Sequence, residues 1–306
     1  MRTNSRTFAP SDFPNRSTRT SGKSSLWGNA RFRICPDLRQ FVPLMIDTTA
    51  LNHCYKRQVY AGCDFCLVAP SRWLADLARQ SPLFRGKRVE HIPYGLDFDL
   101  YRPLPKAEAR ARLSLPIDSR IFLCVAYDFA DDRKGFRFFW DALARQQHPI
   151  DGLVVLAMGQ GSPPPEVHRR YRVRTTGFLS EVERQVVAYS AADVLVFPSL
   201  GDNLPNTIME AMACGTPALG FSVGGVVELV RHGETGYLVP PHDVEGLAHG
   251  IRWLIEEPAR LQRLQQQASS DVVSRFPYRL QAERYRTLYL EAVERYRAGL
   301  PMATSA

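Results

Sequence analysis

The stretch Val194–Phe221 reads VLVFPSLGDNLPNTIMEAMACGTPALGF. Four apolar residues end at a proline, and a loop rich in turn formers follows. Asn206–Cys214 then carries apolar side chains at helical spacing, and TPALGF opens a second apolar run. Strand, loop, helix and strand in that order make one unit of a parallel sheet, because parallel neighbours need a crossover long enough to hold a helix. Asp202 sits in the loop and Glu210 lies eight residues further on, in the helix. A core helix needs neither acid.

The same alternation extends on both sides. Upstream, IFLCVA reads as a strand and Lys134–Gln146 as a helix with Phe136, Phe139, Trp140 and Leu143 inward. LVVLAMG and VRTTGF read as strands, and Ser180–Ala191 as a helix. Downstream, Val226–Arg231 reads as a helical turn and GYLVP as a last short strand. The strand runs are continuously apolar, which predicts a parallel sheet covered on both faces. The fold class is therefore α/β, with a doubly wound, Rossmann-like domain over 104–275.

Before it, FCLVAPS reads as a strand closed by Ser71 as N-cap of a helix that turns Trp73, Leu74, Leu77 and Ala78 to one face. RVEHIPYGLD is a further strand, and residues 97–116 form a polar connector with a short helix at Lys106–Leu113. The tail from Tyr278 to Arg297 reads as one long helix, with Leu280, Tyr285, Leu288, Tyr289, Ala292 and Tyr296 as its apolar positions. Residues 276–306 are expected to pack back across the domains.

The chain has 306 residues, 45% of them hydrophobic, and a formal charge of +8. That charge is concentrated: residues 1–33 hold six Arg and one Lys against the single Asp12, so the remainder is nearly balanced. This Arg- and Ser-rich segment reads as a disordered basic tail, either a transit peptide or, as the favoured reading, a start-site artefact or the remnant of an upstream region. No apolar run approaches the ~18 residues of a membrane helix, so a soluble, cytoplasmic body is expected, either free or at the inner face of the membrane with at most peripheral contact. Of the six Cys, Cys124 and Cys214 fall in core elements. Cys63-Asp-Phe-Cys66 has the spacing of half a zinc site, with Cys35 and Cys54 as candidate partners. However, Cys66 opens an apolar strand and no second C-x-x-C exists, so packing is the expected role.

In open α/β sheets, ligands bind beyond the carboxyl ends of the strands, where the loops bearing Asp202 and Arg133-Lys134-Gly135 both fall. A helix opening after Pro205 offers unpaired N–H groups to phosphate. Two cations at the other loop suit the same anion, and Glu210, about one turn into its helix, suits the vicinal hydroxyls of a ribose. Other phosphate motifs are weaker. GQGSPPP has Pro164 where a dinucleotide fingerprint needs its third Gly, and no P-loop is present. Asp97-Phe98-Asp99 is a short D-x-D in a connector, so no metal is expected.

IPYGLD, RKGF, TTGFLSE, YSAADVLVFPS, the Asp202-x7-Glu210 frame and EAMACGTPALGFSVGGVVELVRHGETGYLVPPHD occur in order. Together they resemble the C-terminal half of retaining, GT-B-fold glycosyltransferases of family four, most closely a D-N-L-P-N-T subgroup associated with exopolysaccharide synthesis. The resemblance runs from about Cys35 and is dense after Val89. It implies a nucleotide-diphosphate sugar as donor and a saccharide or lipid-linked acceptor. Lys134, with Arg133, would neutralise the diphosphate, and Asn203 and Leu204 would offer it backbone amides. Glu210 would hold the ribose, Asp202 the donor-sugar hydroxyls, Gly177-Phe178 the base, and Gly224-Gly225 would approach the donor. Lys134, Asp202 and Glu210 are the candidate catalytic residues.

There are departures. Many relatives have Glu at the place of Asp202 and Asn at that of Tyr94, and the Arg often found after the first C-domain strand is missing near Ala126. Only 34–103 resembles the acceptor-side domain, so a truncated N-terminal α/β remnant is expected, completed by a separate N-terminal-half polypeptide or by self-association. Two alternatives stay open: a non-catalytic nucleotide-sugar-binding fragment, and a nucleic-acid or membrane-surface adaptor using the basic tail. Nucleic acid is not the expected partner. Salt-sensitive binding lost on deleting 1–33 would mark the adaptor.

Overall fold

The computed structural model describes residues 48–302. The basic tail and Cys35 lie outside the described residues. The first unit comprises α1 (Thr49–Gly62), β1 (Cys66–Ala69), α2 (Arg72–Gln80) and β2 (Arg88–His91). Its two strands pair in parallel, Cys66 opposite Arg88 and Ala69 opposite His91. Ser71 caps α2 as its position predicts, its hydroxyl accepting the Leu74 N–H at 3.1 Å. The core of this unit is small, built on Ala69, Ala75, Ala78 and Val89.

A connector bearing α3 (Lys106–Arg112) leads to β3 (Arg120–Asp128), α4 (Phe136–Ala144), β4 (Leu153–Gln160), α5 (Pro165–Arg170), β5 (Arg172–Gly177) and α6 (Val182–Ala191). Then come β6 (Val194–Phe197), α7 (Asn206–Ala213), β7 (Ala218–Phe221), α8 (Val226–Leu229) and β8 (Gly236–Val239). Three helices close the chain: α9 (Val244–Glu256), α10 (Pro258–Arg275) and α11 (Tyr278–Arg297). The six strands β3–β8 form one parallel sheet in the order β5-β4-β3-β6-β7-β8. The chain runs outward from β3 to β5, then returns to the far side of β3 as β6. The order therefore reverses between β3 and β6, and the loops leaving these two strands flank the crevice there.

Packing follows the apolar periodicity. Phe136, Phe139, Trp140 and Leu143 turn α4 onto the sheet, and Phe122, Leu123, Leu195 and Val196 are buried in its central strands. Buried Asp193 anchors the connector, accepting from Arg110 at 2.7 Å, Lys106 at 2.7 Å and the Ile121 N–H at 2.8 Å. Cys124 and Cys214 are buried thiols. The sequence reading assigned no element to the segments that form α1, α5, α9 and α10. Short α5 follows three prolines, the third of them at its first position, and α9 starts at Asp243, whose carboxylate accepts the Gly246 N–H at 2.7 Å.

The C-terminal helix runs back to the first unit. The Leu96 N–H donates to Phe276 O at 2.9 Å, and the Tyr278 N–H donates to Leu96 O at 3.1 Å. Arg88 Nη2 lies 2.8 Å from Glu291 Oε2, and the Gly95 N–H donates to Gln281 at 3.0 Å. Of the apolar positions expected to pack on α11, Leu288 is buried, whereas Tyr289 and Tyr296 stand in solvent. Among the described residues no helix is long and apolar enough to cross a membrane.

Candidate functional site

The two loops at the crevice are locked together through backbone. The Leu200 N–H donates to Arg133 O at 2.9 Å and Ser199 Oγ to the same oxygen at 3.3 Å. Gly135 has a φ of 65° and lies so near Pro198 that a Cβ there would sit 2.0 Å from the Pro198 carbonyl oxygen. This corrects the expected helix start. Asp132–Lys134 is a 3-10 turn capped by Asp131, Gly135 breaks it in the left-handed region, and the α-helix begins at Phe136. Lys134 therefore leaves the helix face. Its Nζ stands 3.4 Å from Asp202 Oδ2 and 5.9 Å from the centre of the Phe197 ring.

Arg133 does not accompany it. Its guanidinium pairs with Asp131, Nη2 to Oδ2 at 2.8 Å, and that hydrogen-bonded pairing holds the Asp131 carboxyl below its usual range. What Arg133 brings to the crevice is its carbonyl, which ties the two loops.

Asp202 Oδ1 accepts the Asn203 N–H at 3.0 Å. In this structure that amide is taken by the neighbouring carboxylate. Leu204 drives its side chain into the core. The N–H groups of Leu204, Asn206 and Thr207 have no acceptor among the described residues, so the amides opening α7 remain available. Gly224 and Gly225 have a structural reason to be glycine. A Cβ would meet Asp202 O at 2.0 Å at the first and Asn203 O at 1.6 Å at the second, and the Gly225 N–H donates to Asp202 O at 3.1 Å. They approach the Asp202–Asn203 backbone in the first instance.

Glu210 is mostly buried, and its Oε2 accepts the Tyr189 hydroxyl at 2.7 Å. Burial pushes its carboxyl up, with the Tyr189 bond opposing. Burial likewise raises the neighbouring Tyr101 hydroxyl to about 12. One Glu210 oxygen is thus committed inside the protein and one is left for a ligand. Tyr189 was missed by the residue-level reading of the site, although VVAYSAA places a lone polar aromatic in an apolar stretch, which is the signal for it.

At the far side of the crevice, Gly177 takes a φ of 70°, and exposed Phe178 sets its ring edge on Tyr127, centroids 5.9 Å apart. Asp97 and Asp99 form a local turn, the Asp99 N–H donating to Asp97 Oδ1 at 2.9 Å. Among the described residues no group of three His, Cys, Asp or Glu side chains is placed to hold a metal ion. A surface depression lined by Asp118, Arg120, His148 and Arg252 lies at the amino ends of β3 and β4, away from this site.

An all-parallel Rossmann-like sheet with its polar residues gathered at the switch point defines the class: an α/β protein with a crevice for a ligand. Residues 119–257 match the family profile Glycosyl transferases group 1. The D-inositol 3-phosphate glycosyltransferase of Thermobispora bispora is 30% identical in a 253-residue alignment that covers 78% of this chain and 58% of that protein. D-inositol 3-phosphate glycosyltransferase 2 of Catenulispora acidiphila is 30% identical in a 254-residue alignment that covers 79% and 59% of the two chains. The chain thus spans 58–59% of the length of these curated relatives. Sucrose-phosphate synthase from Thermosynechococcus elongatus matches in structure with a TM-score of 0.69 at 29% identity, over 82% of this chain and 65% of that one. Anabaena Alr3699/HepE, solved in complex with UDP and glucose, has the same fold, with a TM-score of 0.65 at 21% identity over 79% and 67% of the chains. Together these matches support the group 1 glycosyltransferase family, with the GT-B fold, for this α/β domain.

Proposed function

We propose that the crevice between β3 and β6 is the donor site of a glycosyltransferase. It would move a hexosyl group from a nucleoside diphosphate sugar to an acceptor hydroxyl with retention of configuration. The observation that carries this reading is Lys134 Nζ at 3.4 Å from Asp202 Oδ2, beside the unbonded amides that open α7. As the glycosidic bond breaks, negative charge gathers on the departing diphosphate. An ammonium group and a helix N-terminus stabilise that charge where it develops, and this reading needs no metal.

In this reading Lys134 leaves Asp202 for the phosphates and Asp202 turns to the sugar hydroxyls. Glu210 accepts from the ribose through its uncommitted oxygen, and Phe178 lies against the base. The acceptor oxygen attacks the anomeric carbon from the leaving-group face, and its proton passes to the departing phosphate oxygen. The name of the curated relatives favours a phosphorylated polyol as acceptor. The D-N-L-P-N-T motif favours a saccharide or lipid-linked acceptor in exopolysaccharide synthesis; the first reading rests on matches along 78–79% of the chain and the second on six residues, so the first is taken.

Titration calorimetry with UDP and GDP tests the site. Lys134→Ala is expected to weaken nucleoside diphosphate binding by about tenfold or more, since a charge-assisted hydrogen bond is worth about 1.5–3 kcal/mol. Equal affinities for the folded variant and its parent remove Lys134 from the site.

A further inference from the structure

The α2 terminus of the first unit meets the donor-side loops at Asn203. The Asn203 carboxamide oxygen accepts the hydroxyl of Ser71. Ser71 is fully buried, and its Oγ already accepts the Leu74 N–H at 3.1 Å, so its single proton is left for Asn203 Oδ1. That bond sets the rotation of the carboxamide, with the oxygen toward α2 and the NH2 group away from it. Asn203 Nδ2 has no acceptor among the described residues and is not shut away from solvent.

The junction is held from two further directions. Glu228 of α8 accepts the Arg72 and Trp73 N–H groups at 3.0 and 2.9 Å, fixing the start of α2 against the loop after β7. Gly225 closes the third side, its missing Cβ leaving room 1.6 Å from Asn203 O and 3.0 Å from Ser71 Cβ. A side chain gripped this firmly at its oxygen, with two unspent donors beside Asp202, is suited to recognition rather than to packing.

We propose that the Asn203 carboxamide reads the transferred sugar, donating its N–H to a sugar hydroxyl oxygen, and that Ser71 is the positioning residue that sets its rotation. This rests on the donor-site reading above. Asp202 accepts and Asn203 donates, so the pair matches two neighbouring hydroxyls that must donate to one group and accept from the other. It also makes donor recognition depend on the first unit, because the group that orients Asn203 belongs to α2.

The test compares ligands with and without the sugar: UDP with UDP-glucose and UDP-galactose, and GDP with GDP-mannose, by calorimetry on the full chain. Asn203→Ala is expected to lower the ratio of nucleotide-sugar to nucleoside diphosphate affinity about 3- to 10-fold, the worth of one net hydrogen bond. Ser71→Gly keeps a residue tolerated at an N-cap, so α2 stays folded, and should lower the same ratio. In the Asn203→Ala background it should add nothing. Equal losses for both ligand kinds, or an additive Ser71→Gly effect, overturn the proposal and leave the donor-site reading standing. A parent chain that binds no nucleoside diphosphate sinks that reading and this proposal with it.

Discussion

Glu210 is the residue whose chemistry depends most on its surroundings. The eight-residue spacing from Asp202 was legible in the sequence, and so was its place on a helix at the crevice. Its burial was not, because the elements packed around it, α6 with Tyr189 among them, are separate in the chain. With its carboxyl raised by burial, Glu210 protonates at higher pH than an ordinary glutamate. A ribose contact that needs the ionised form is therefore lost as pH falls through this raised value, in a window opening above the usual glutamate range. For folding, the shift favours the protonated form, so this group's contribution to stability is present at low pH and fades as pH rises through the folded value. Affinity for a nucleoside diphosphate sugar, followed from about pH 8 to about pH 5, should fall earlier than an exposed carboxylate would allow. Tyr189→Phe removes the opposing hydrogen bond and should move the fall to higher pH, while Glu210→Gln should flatten it. A parent profile identical to that of Glu210→Gln removes Glu210 from the ligand.

At the scale of elements, the site is a set of loops pressed together at backbone distance. Continuous apolar runs mark where β3, β6 and β7 lie, since both faces of each strand are covered, and apolar residues at helical spacing mark α7. They do not say which loops touch. RKGF reads as the start of a helix, yet Gly135 ends a 3-10 turn because it must pass the Pro198 carbonyl oxygen from another strand's loop. Gly224-Gly225 reads as an approach to ligand, yet both residues are in contact with the Asp202–Asn203 backbone. Gly225→Ala tests this contact. Its Cβ would fall 1.6 Å from Asn203 O, a backbone atom that cannot turn aside. The expected cost is about 1–3 kcal/mol of stability, read by denaturant unfolding. Nucleoside diphosphate affinity should drop as the Asp202 loop shifts. An alanine variant with parental stability and affinity would show that the two loops move apart freely.

At the scale of the molecule, α11 straps the two units. Gly95 passes so close to its start that a Cβ there would lie 2.4 Å from Tyr278 Cα, and Arg88 on β2 reaches Glu291 three turns along the helix. The two-stranded unit has a small core of its own, so its stability depends on such outside contacts. A variant ending at Pro277 should expose the segment around Arg85, Lys87 and Arg88 to trypsin much faster than the parent, while 104–275 stays resistant. Unchanged cleavage in that segment would mean that α8 and the connector hold the unit without the strap.

The parallel α/β sheet, the loops that carry its polar residues, and the cation and acids on those loops were legible along the chain, because apolar patterning and turn chemistry act over a few residues. The Asn203 amide and the exposed Arg133 guanidinium go to near neighbours along the chain, Asp202 and Asp131. The fold settled the pairs across elements: it gave one Glu210 oxygen to Tyr189. Of the cations beside that loop, it turned Lys134 to Asp202. The physical reason is that a hydrogen-bonding group is claimed by whichever partner the fold brings within about 3 Å, and in the pairs that span separate elements that partner lies 21 or 68 residues away along the chain.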